Sequence, residues 1–144
     1  MSNESVATLR KYGLGITKPR VVLLEFLLQS HMHVTAEQLY NSINKKEEII
    51  SLATIYNTLK IFVQKGLLNE VVVEPNRTYY DTNTAPHFHM FDSTTKELID
   101  LYPKNKLPQD LVKELAKEFG LCSDTLNGAE IIFYSKSFSN ALRK

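Results

Sequence analysis

The sequence predicts an α+β protein in two parts, and three observations lead to this prediction. Apolar residues follow helical spacing through most of the chain up to Gly66, and two alternating segments around a turn then follow. A short segment without apolar periodicity comes next. Beyond it lie two more alternating segments, one amphipathic helix and a third alternating segment. We therefore expect a helical N-terminal domain that ends in a β-hairpin, followed by a smaller domain with a sheet and one helix.

The composition limits the classes of protein that the chain can belong to. Its 144 residues allow one ordinary domain or two small ones, and an apolar share of 43% is enough for a core. Formal charge is only +1, so contact with nucleic acid has to come from a local basic patch. No signal region and no membrane-length apolar run is present, which predicts a cytoplasmic protein without a membrane partner. Cys122 is the only cysteine, which excludes an intramolecular disulfide and any Cys-x-x-Cys zinc site.

The first two helices are predicted from residues that are typical of helix ends. Residues 2–12 form a short helix that ends near Gly13. Thr17 has the character of an N-cap, Pro19 fits the first turn, and the apolar run 21–28 predicts a buried second helix.

Two further helices begin at hydroxyl residues. The segment 35–38, Thr-Ala-Glu-Gln, is a capping-box pattern and predicts a helix to about Asn44. Ser51 caps the next helix, which ends at Gly66. Its apolar stripe consists of Leu52, Ile55, Leu59, Phe62 and Val63. The opposite face is polar.

A hairpin follows, with strands at 67–73 and 78–81 around a turn at 74–77. Helices followed by such a hairpin are the order of a winged helix-turn-helix domain, which we predict over residues 1–81. Small residues, hydroxyls, an amide and a lysine on the fourth helix suit entry into a DNA major groove, although an ordinary solvated face would have the same residues. The predicted DNA-binding residues are Lys18, Ser51, Thr54, Tyr56, Asn57, Lys60 and Arg77.

Residues 82–86 are predicted to be a hinge, and residues 87–144 a small α/β dimerisation domain. It is expected to contain a three-stranded antiparallel sheet, with strands at 87–92, 97–102 and 129–135, and a helix at 109–119 whose residues Leu111, Val112, Leu115 and Phe119 face inward. Such a domain has little core of its own, which favours a homodimer. A homodimer would present two recognition helices to double-stranded DNA with a pseudo-palindromic operator.

All four histidines form two pairs, His31-Met-His33 and His87-Phe-His89. On a strand, His87 and His89 project from the same face, where two imidazoles can bind one cation. Asp81 and Asp100 lie on either side of this pair in the sequence. Imidazoles together with carboxylates suit divalent manganese or iron, and zinc binds most such sites. The alternative is that the second pair is two surface side chains. His31 has no carboxylate paired with it and is interpreted as an exposed loop residue.

Three motifs carry a resemblance to the ferric uptake regulator superfamily of bacterial metal-dependent repressors. Residues 51–59, Ser-Leu-Ala-Thr-Ile-Tyr-Asn-Thr-Leu, resemble its recognition helix, and 15–20, Gly-Ile-Thr-Lys-Pro-Arg, resemble the start of an earlier helix. His87-Phe-His89 with Asp100 is similar to its regulatory metal site. The resemblance implies one divalent metal per subunit, Fe²⁺ or Mn²⁺ with Zn²⁺ possible in vitro, held by His33, Asp81, His87, His89 and Asp100. It also implies that metal binding favours the closed arrangement of the two domains.

An aspartate at position 100 is similar to the peroxide-stress branch, whose iron-loaded members are inactivated by oxidation of ligand histidines. The resemblance therefore implies a transcriptional repressor that senses peroxide, with His33 and His87 as the oxidation-sensitive residues. Three alternatives stay open. These are an iron or manganese availability sensor without histidine oxidation, a small non-haem iron enzyme, and a winged-helix protein that does not depend on metal.

The chain departs from the family pattern in three places. Relatives carry two Cys-x-x-Cys pairs that bind structural zinc, and the matching positions here are Asp92, Thr95, Ser135 and Phe138. We therefore expect no structural zinc. Gly15 stands where many relatives have a basic residue that reaches the minor groove, and Lys18 or Lys11 is the candidate replacement. No histidine follows His89, which argues against a further sensory metal site.

Overall fold

A computed structural model describes residues 2–30, 33–85, 87–104, 111–126 and 129–141, with the side chain of Asn140 excepted. It divides into two compact units, Met1–Ala85 and Pro86–Lys144. Helices and strands occur in both units, which confirms the α+β class. Among the described residues, no helix is both long and apolar enough to cross a membrane.

The first unit begins with four helices, α1 Asn3–Lys11, α2 Lys18–Gln29, α3 Ala36–Ile43 and α4 Leu52–Gln64. The predicted capping box of α3 is present, since the Thr35 hydroxyl accepts the Gln38 N–H and the Gln38 side chain accepts the Thr35 N–H. At α4 the Ser51 hydroxyl accepts the N–H of Thr54 at 3.2 Å. Each bond satisfies a backbone group that a helix end leaves without an internal partner.

The hairpin consists of β1 Asn69–Glu74 and β2 Arg77–Asp81, which pair in antiparallel fashion. Asn76 takes a positive φ of 63° in the turn, a conformation that asparagine tolerates better than most residues. Val34 forms an isolated antiparallel bridge to Tyr80, with N–H···O distances of 3.4 and 2.8 Å. The segment before α3 is thereby attached to the edge of β2.

The core of the first unit lies between the helices and the hairpin. Its most deeply buried side chains come from α1, α2, α3 and α4, namely Leu9, Leu23, Leu24, Leu39, Ile55, Leu59 and Phe62. The predicted stripe of α4 therefore faces the core, although Leu52 and Val63 are only partly buried. Burial of this stripe leaves the polar face of α4 outward.

The second unit contains β3 Phe88–Asp92, β4 Leu98–Leu101, α5 Leu111–Glu118, a 3₁₀ helix Ser123–Thr125, β5 Ile132–Ser135 and α6 Phe138–Ala141. The 3₁₀ helix and α6 were not predicted from the sequence. Both are short, and their hydrophobic spacing is too brief to indicate a helix.

The sheet of the second unit corrects the prediction of three antiparallel strands. Its order is β4-β3-β5, with β3 antiparallel to β4 but parallel to β5. β5 runs opposite to β4, so it would be antiparallel only if it lay next to β4. It pairs instead with the free edge of β3, and is therefore parallel to β3. The alternation of residues along β5 would be the same whether it paired with β4 or with β3. The sequence therefore could not distinguish the two strand orders.

The predicted inward face of α5 is also different in the structure. Ala116 is the only residue of α5 that is buried, whereas Val112 and Leu115 are exposed and Phe119, just beyond the helix, is 76% exposed. The sequence predicted the helix correctly from its apolar spacing. The three-stranded sheet, however, offers too little surface to cover the apolar face of α5. Among the residues that the structure describes, this face is exposed.

Asp92 links the β3–β4 turn to the start of α6. Its Oδ1 accepts the N–H groups of Thr94 at 2.8 Å and Thr95 at 3.0 Å, and its Oδ2 accepts the N–H of Phe138 at 3.0 Å. The residue is 3% exposed, and the bond from the Thr95 N–H is the main reason why the pKa of this carboxyl is lowered. Three of the four positions predicted to match the zinc cysteines of relatives, Asp92, Thr95 and Phe138, thus belong to one hydrogen-bonded group.

We predict that Asp92→Asn lowers the stability of the second unit at neutral pH. The folded-state pKa of Asp92 is lowered, so its contribution is present above the unfolded value of about 3.9 and is lost as pH falls through the folded value. Urea unfolding at a series of pH values measures this. The variant should have the lower midpoint at pH 7, and the gap to the wild type should close below about pH 4. Asp124→Asn, at an exposed carboxylate of the same unit, is the control. Equal midpoints for wild type and Asp92→Asn at pH 7 would contradict the prediction.

Candidate functional site

Two of the predicted metal ligands, His33 and Asp81, lie together in the first unit. The bridge between Val34 and Tyr80 places the preceding His33 opposite Asp81. His33 Nε2 is 3.1 Å from Asp81 Oδ2, and both side chains are largely buried. Asp81 Oδ1 accepts the N–H of Asn83 at 2.8 Å, so the turn after β2 holds the carboxylate with Oδ2 toward the imidazole.

The other three predicted ligands lie together in the second unit, on one face of the β3–β4 pair. The strand register places His89 directly opposite Asp100, and His87 is two residues earlier along the chain. Asp100 Oδ1 is 2.9 Å from His87 Nε2 and 3.3 Å from His89 Nε2. The two Nε2 atoms are 2.9 Å apart. Three lone-pair atoms at such distances repel one another unless a proton or a cation lies among them.

These separations match the edges of a metal coordination shell. For metal–ligand bonds of about 2.1 Å, neighbouring ligand atoms are about 3.0 Å apart in an octahedron and about 3.4 Å apart in a tetrahedron. The trio of His87, His89 and Asp100 has edges of 2.9, 2.9 and 3.3 Å, and the pair of His33 and Asp81 is separated by 3.1 Å. Nitrogen and carboxylate donors of this kind suit divalent manganese, iron or zinc. The residues present therefore fit such a cation.

Two neighbours of the trio were not predicted from the sequence. The Tyr102 hydroxyl donates to Asp100 Oδ2 at 3.3 Å, and Glu130 Oε1 lies 4.0 Å from His89 Nδ1. A signal for Tyr102 was available, because it follows Asp100 by two residues and shares its face of the strand. No comparable signal existed for Glu130, which reaches the site only through the pairing of β3 with β5. His31 lies outside the described residues.

The outer face of α4 carries most of the predicted DNA-binding residues. Asn57 and Lys60 are exposed, and Tyr56 is 43% exposed. The hydroxyls of Ser51 and Thr54 are 2.9 Å apart, so these two residues also serve the start of the helix. The structure places all five on α4 or its N-cap.

Tyr56 has a partner on the neighbouring helix α3. Its hydroxyl donates a short hydrogen bond to the carboxylate of Glu37. This bond raises the pKa of Tyr56 to about 12, and it lowers the pKa of the Glu37 carboxyl. The phenol is therefore neutral near pH 7 and its ring is held in one place at the surface. Glu37 was not among the predicted residues.

The remaining basic residues lie apart from α4 in the chain. Lys18 is exposed at the start of α2, as is Lys11 at the end of α1. Arg77 is half-buried, and a hydrogen bond to the Tyr79 hydroxyl raises the pKa of its guanidinium. Arg20, which was not predicted, donates from Nη1 to the Gly15 carbonyl at 2.9 Å. A guanidinium thus lies where a basic side chain at position 15 would begin.

Comparison with known proteins identifies similar sequences and similar solved structures. The chain matches the model of the ferric uptake regulator family over residues 11–125. It is 36% identical over 115 residues to the peroxide-responsive repressor PerR of Staphylococcus epidermidis, which covers 79% of this chain and 74% of the relative.

Among solved structures, the ferric uptake regulator of Vibrio cholerae is similar with a TM-score of 0.73 and 27% identity, covering 91% of this chain and 98% of that one. That of Pseudomonas aeruginosa with manganese is similar with a TM-score of 0.67 and 27% identity, covering 93% and 98%. The family model spans most of the sequence, and the resemblance first seen in three short motifs extends across both units. The chain belongs to the ferric uptake regulator family.

Proposed function

We propose that the protein is a metal-dependent transcriptional repressor that binds double-stranded DNA as a homodimer and senses peroxide through oxidation of His33 or His87. The observation that carries the proposal is the trio of His87, His89 and Asp100, whose edges suit a divalent cation. The similarity to a peroxide-responsive repressor supports peroxide as the signal. Because the family and its matched members are regulators, the protein is not a non-haem iron enzyme.

We infer that one divalent cation per subunit uses both groups of ligands. The pair in the first unit offers two ligand atoms and the trio in the second offers three, so neither group alone fills a six-coordinate shell. The inferred cation is Fe²⁺ or Mn²⁺, with Zn²⁺ able to bind in vitro. Five protein ligands leave one position open. Bound iron would supply the reduction of peroxide next to the imidazoles, whereas manganese would not. In the balanced reaction, one H₂O₂ would give one oxygen atom to a histidine ring and leave as one water.

Ligands drawn from both units explain how a metal could control DNA binding. A cation that needs all five side chains binds tightly only in the closed arrangement, in which both groups are available. To move that arrangement from 1% to 99% of molecules, the metal must prefer it by about ten-thousand-fold. When the units are apart, the cation loses at least two of its five ligands. This loss is large enough to account for the preference. Residues 82–86 serve as the hinge, and residues 1–81 as the winged helix-turn-helix domain.

We infer that α4 is the recognition helix. Tyr56, Asn57 and Lys60 lie on its outer face, where an aromatic ring, an amide and an ammonium can reach base edges and phosphates. The further inferred DNA contacts are Ser51, Thr54, Lys18 and Arg77. Arg20 joins Lys18 and Lys11 as a candidate for the basic contact that Gly15 cannot make, since its guanidinium lies at the Gly15 carbonyl.

The second unit is the inferred site of dimerisation. It exposes apolar side chains of α5 and β5, and a cavity of about 340 Å³ opens between the sheet and the start of α5. The cavity is lined by Phe88, Leu101, Tyr102, Pro103, Leu111, Ile131 and Phe133. A second copy would cover this surface, which the small core of a single unit leaves open. A two-fold dimer presents two α4 helices, which suits a pseudo-palindromic operator.

The second candidate function is an iron or manganese availability sensor of the same family. The similarity to a ferric uptake regulator with manganese favours this alternative. In such a sensor, peroxide would remove iron by oxidising it and would leave the histidines unchanged. The two functions therefore differ in whether peroxide changes a histidine covalently.

We expect His33→Ala to weaken metal-dependent DNA binding and to leave the fold intact. Removing one of five ligands should weaken Mn²⁺ binding by about 100-fold or more, since even the loss of an outer-shell partner costs 10–100-fold. Fluorescence anisotropy of labelled promoter DNA, titrated with Mn²⁺ or chelator, measures this. His31→Ala is the matched control from the same histidine pair and should behave like the wild type. If His33→Ala keeps the metal response of the wild type, His33 is not a ligand.

Tyr56→Ala is expected to weaken operator binding by about 1–3 kcal/mol, the value of one good base contact. Tyr40→Phe, which removes an exposed hydroxyl from α3, should leave the affinity unchanged. Binding is measured by anisotropy at fixed salt, and circular dichroism must show a folded variant. An unaltered affinity for folded Tyr56→Ala would exclude Tyr56 from the interface.

The signal is tested by mass spectrometry of the peptides that contain His33 and His87. Peroxide should add one oxygen to one of them when the protein carries Fe²⁺, and none when it carries Mn²⁺. DNA binding should fall in parallel and should not recover after reduction and reloading with iron. Loss of DNA binding with both peptides unmodified, or complete recovery, would instead establish the availability sensor.

A further inference from the structure

Tyr102 completes a four-residue group on one face of the β3–β4 pair. The register places His89 opposite Asp100 and Phe88 opposite Leu101. The next position along the two chains therefore places His87 beside Tyr102. Because Asp100 and Tyr102 are two residues apart, as are His87 and His89, all four side chains share the face on which the metal ligands lie.

Two separate contacts connect Tyr102 to the predicted ligands. Its hydroxyl donates to Asp100 Oδ2 at 3.3 Å, whereas Oδ1 of the same carboxylate faces the two histidines. Its ring lies nearly parallel to the His87 imidazole, with the centroids 6.1 Å apart and the planes at 23°. One side chain therefore donates a hydrogen bond to a predicted carboxylate ligand and stacks beside a predicted imidazole ligand.

We propose that Tyr102 is a positioning residue of the metal centre, which makes Asp100 bind the cation through Oδ1 alone. The inference rests on the proposed function, because it assumes that the trio binds a metal. A hydrogen bond to Oδ2 competes with coordination by that oxygen, and so disfavours a bidentate carboxylate. The Tyr102 ring also lies beside the His87 imidazole, whose Nε2 is 2.9 Å from Oδ1.

A monodentate Asp100 has a consequence for the open coordination position. A second carboxylate oxygen on the cation would occupy a sixth position and displace a small molecule from it. By holding Oδ2, the Tyr102 hydroxyl keeps the ligand count at five. The residue thereby affects both the affinity for metal and the access of a sixth ligand.

Tyr102 also lines the apolar cavity of the second unit, so its ring has a structural role as well. Tyr102→Phe separates the two roles, because it keeps the ring and removes only the hydroxyl. Tyr134→Phe is the matched control, since Tyr134 is an exposed tyrosine of the same unit whose ring contacts Phe91. Analytical ultracentrifugation verifies that both variants keep the association state of the wild type.

The experiment compares metal binding by the full-length wild type, Tyr102→Phe and Tyr134→Phe. Free Mn²⁺ is measured by electron paramagnetic resonance during titration, and the visible absorption of bound Co²⁺ reports the coordination geometry. Tyr102→Phe should bind Mn²⁺ about tenfold more weakly than the wild type and should shift the Co²⁺ bands. Tyr134→Phe should match the wild type in both measurements.

The outcomes distinguish this inference from the proposed function. If the wild type binds Mn²⁺ and Tyr102→Phe matches it within twofold with superimposable Co²⁺ spectra, the positioning role is overturned while the metal centre stands. If Tyr134→Phe weakens binding as much as Tyr102→Phe, the effect is general to the unit and the role is again overturned. If the wild type binds neither Mn²⁺ nor Co²⁺, the proposed function fails and this inference fails with it.

Discussion

The antiparallel pairing of β3 with β4 is the constraint on which the candidate metal-binding face of the second unit depends. In this register His89 lies opposite Asp100, and both Nε2 atoms lie within 3.3 Å of Asp100 Oδ1. A slip of one residue would turn Asp100 to the other face and bring Leu101 to this one. The turn between the strands is held by the Asp92 carboxylate, whose backbone hydrogen bonds reach Thr94 and Thr95. A buried acidic residue at the end of β3 therefore supports the register of the predicted ligands at its beginning.

Asp92 also bears on the absence of structural-zinc cysteines in this chain. Zinc bound by two cysteine pairs would connect the β3–β4 turn to the segment after β5 through four metal–ligand bonds. Here a carboxylate makes hydrogen bonds to both segments, and Ser93 and Thr94 add bonds to the backbone carbonyls of Ser135 and Lys136. Backbone hydrogen bonds to a buried carboxylate are directional and need no metal. In the second unit these hydrogen bonds therefore connect the β3–β4 turn to the segment after β5.

The first unit contributes only two predicted ligands, but its architecture explains why they lie together. The bridge from Val34 to Tyr80 attaches the segment before α3 to the hairpin, and His33 and Asp81 are the next residues on each side. The same segment leads directly into the capping box of α3. Helix α3 in turn carries Glu37, the hydrogen-bond partner of Tyr56 on α4. A short path of backbone and side-chain contacts within one unit therefore connects the predicted ligand His33 with the outer face of α4.

Local features of the sequence determined the types of the longer elements, the N-caps of α3 and α4, and the residues with ligand chemistry. The capping box at Thr35 and the two His-x-His pairs are patterns of fewer than about six residues, so they can be read without knowledge of the fold. Tertiary structure decided what depends on long-range pairing. It placed β5 on the free edge of β3, left the apolar face of α5 exposed, and brought Glu37 to Tyr56 and Glu130 to His89. Such contacts depend on register, strand order and available surface, and these are properties of the folded chain rather than of any local segment.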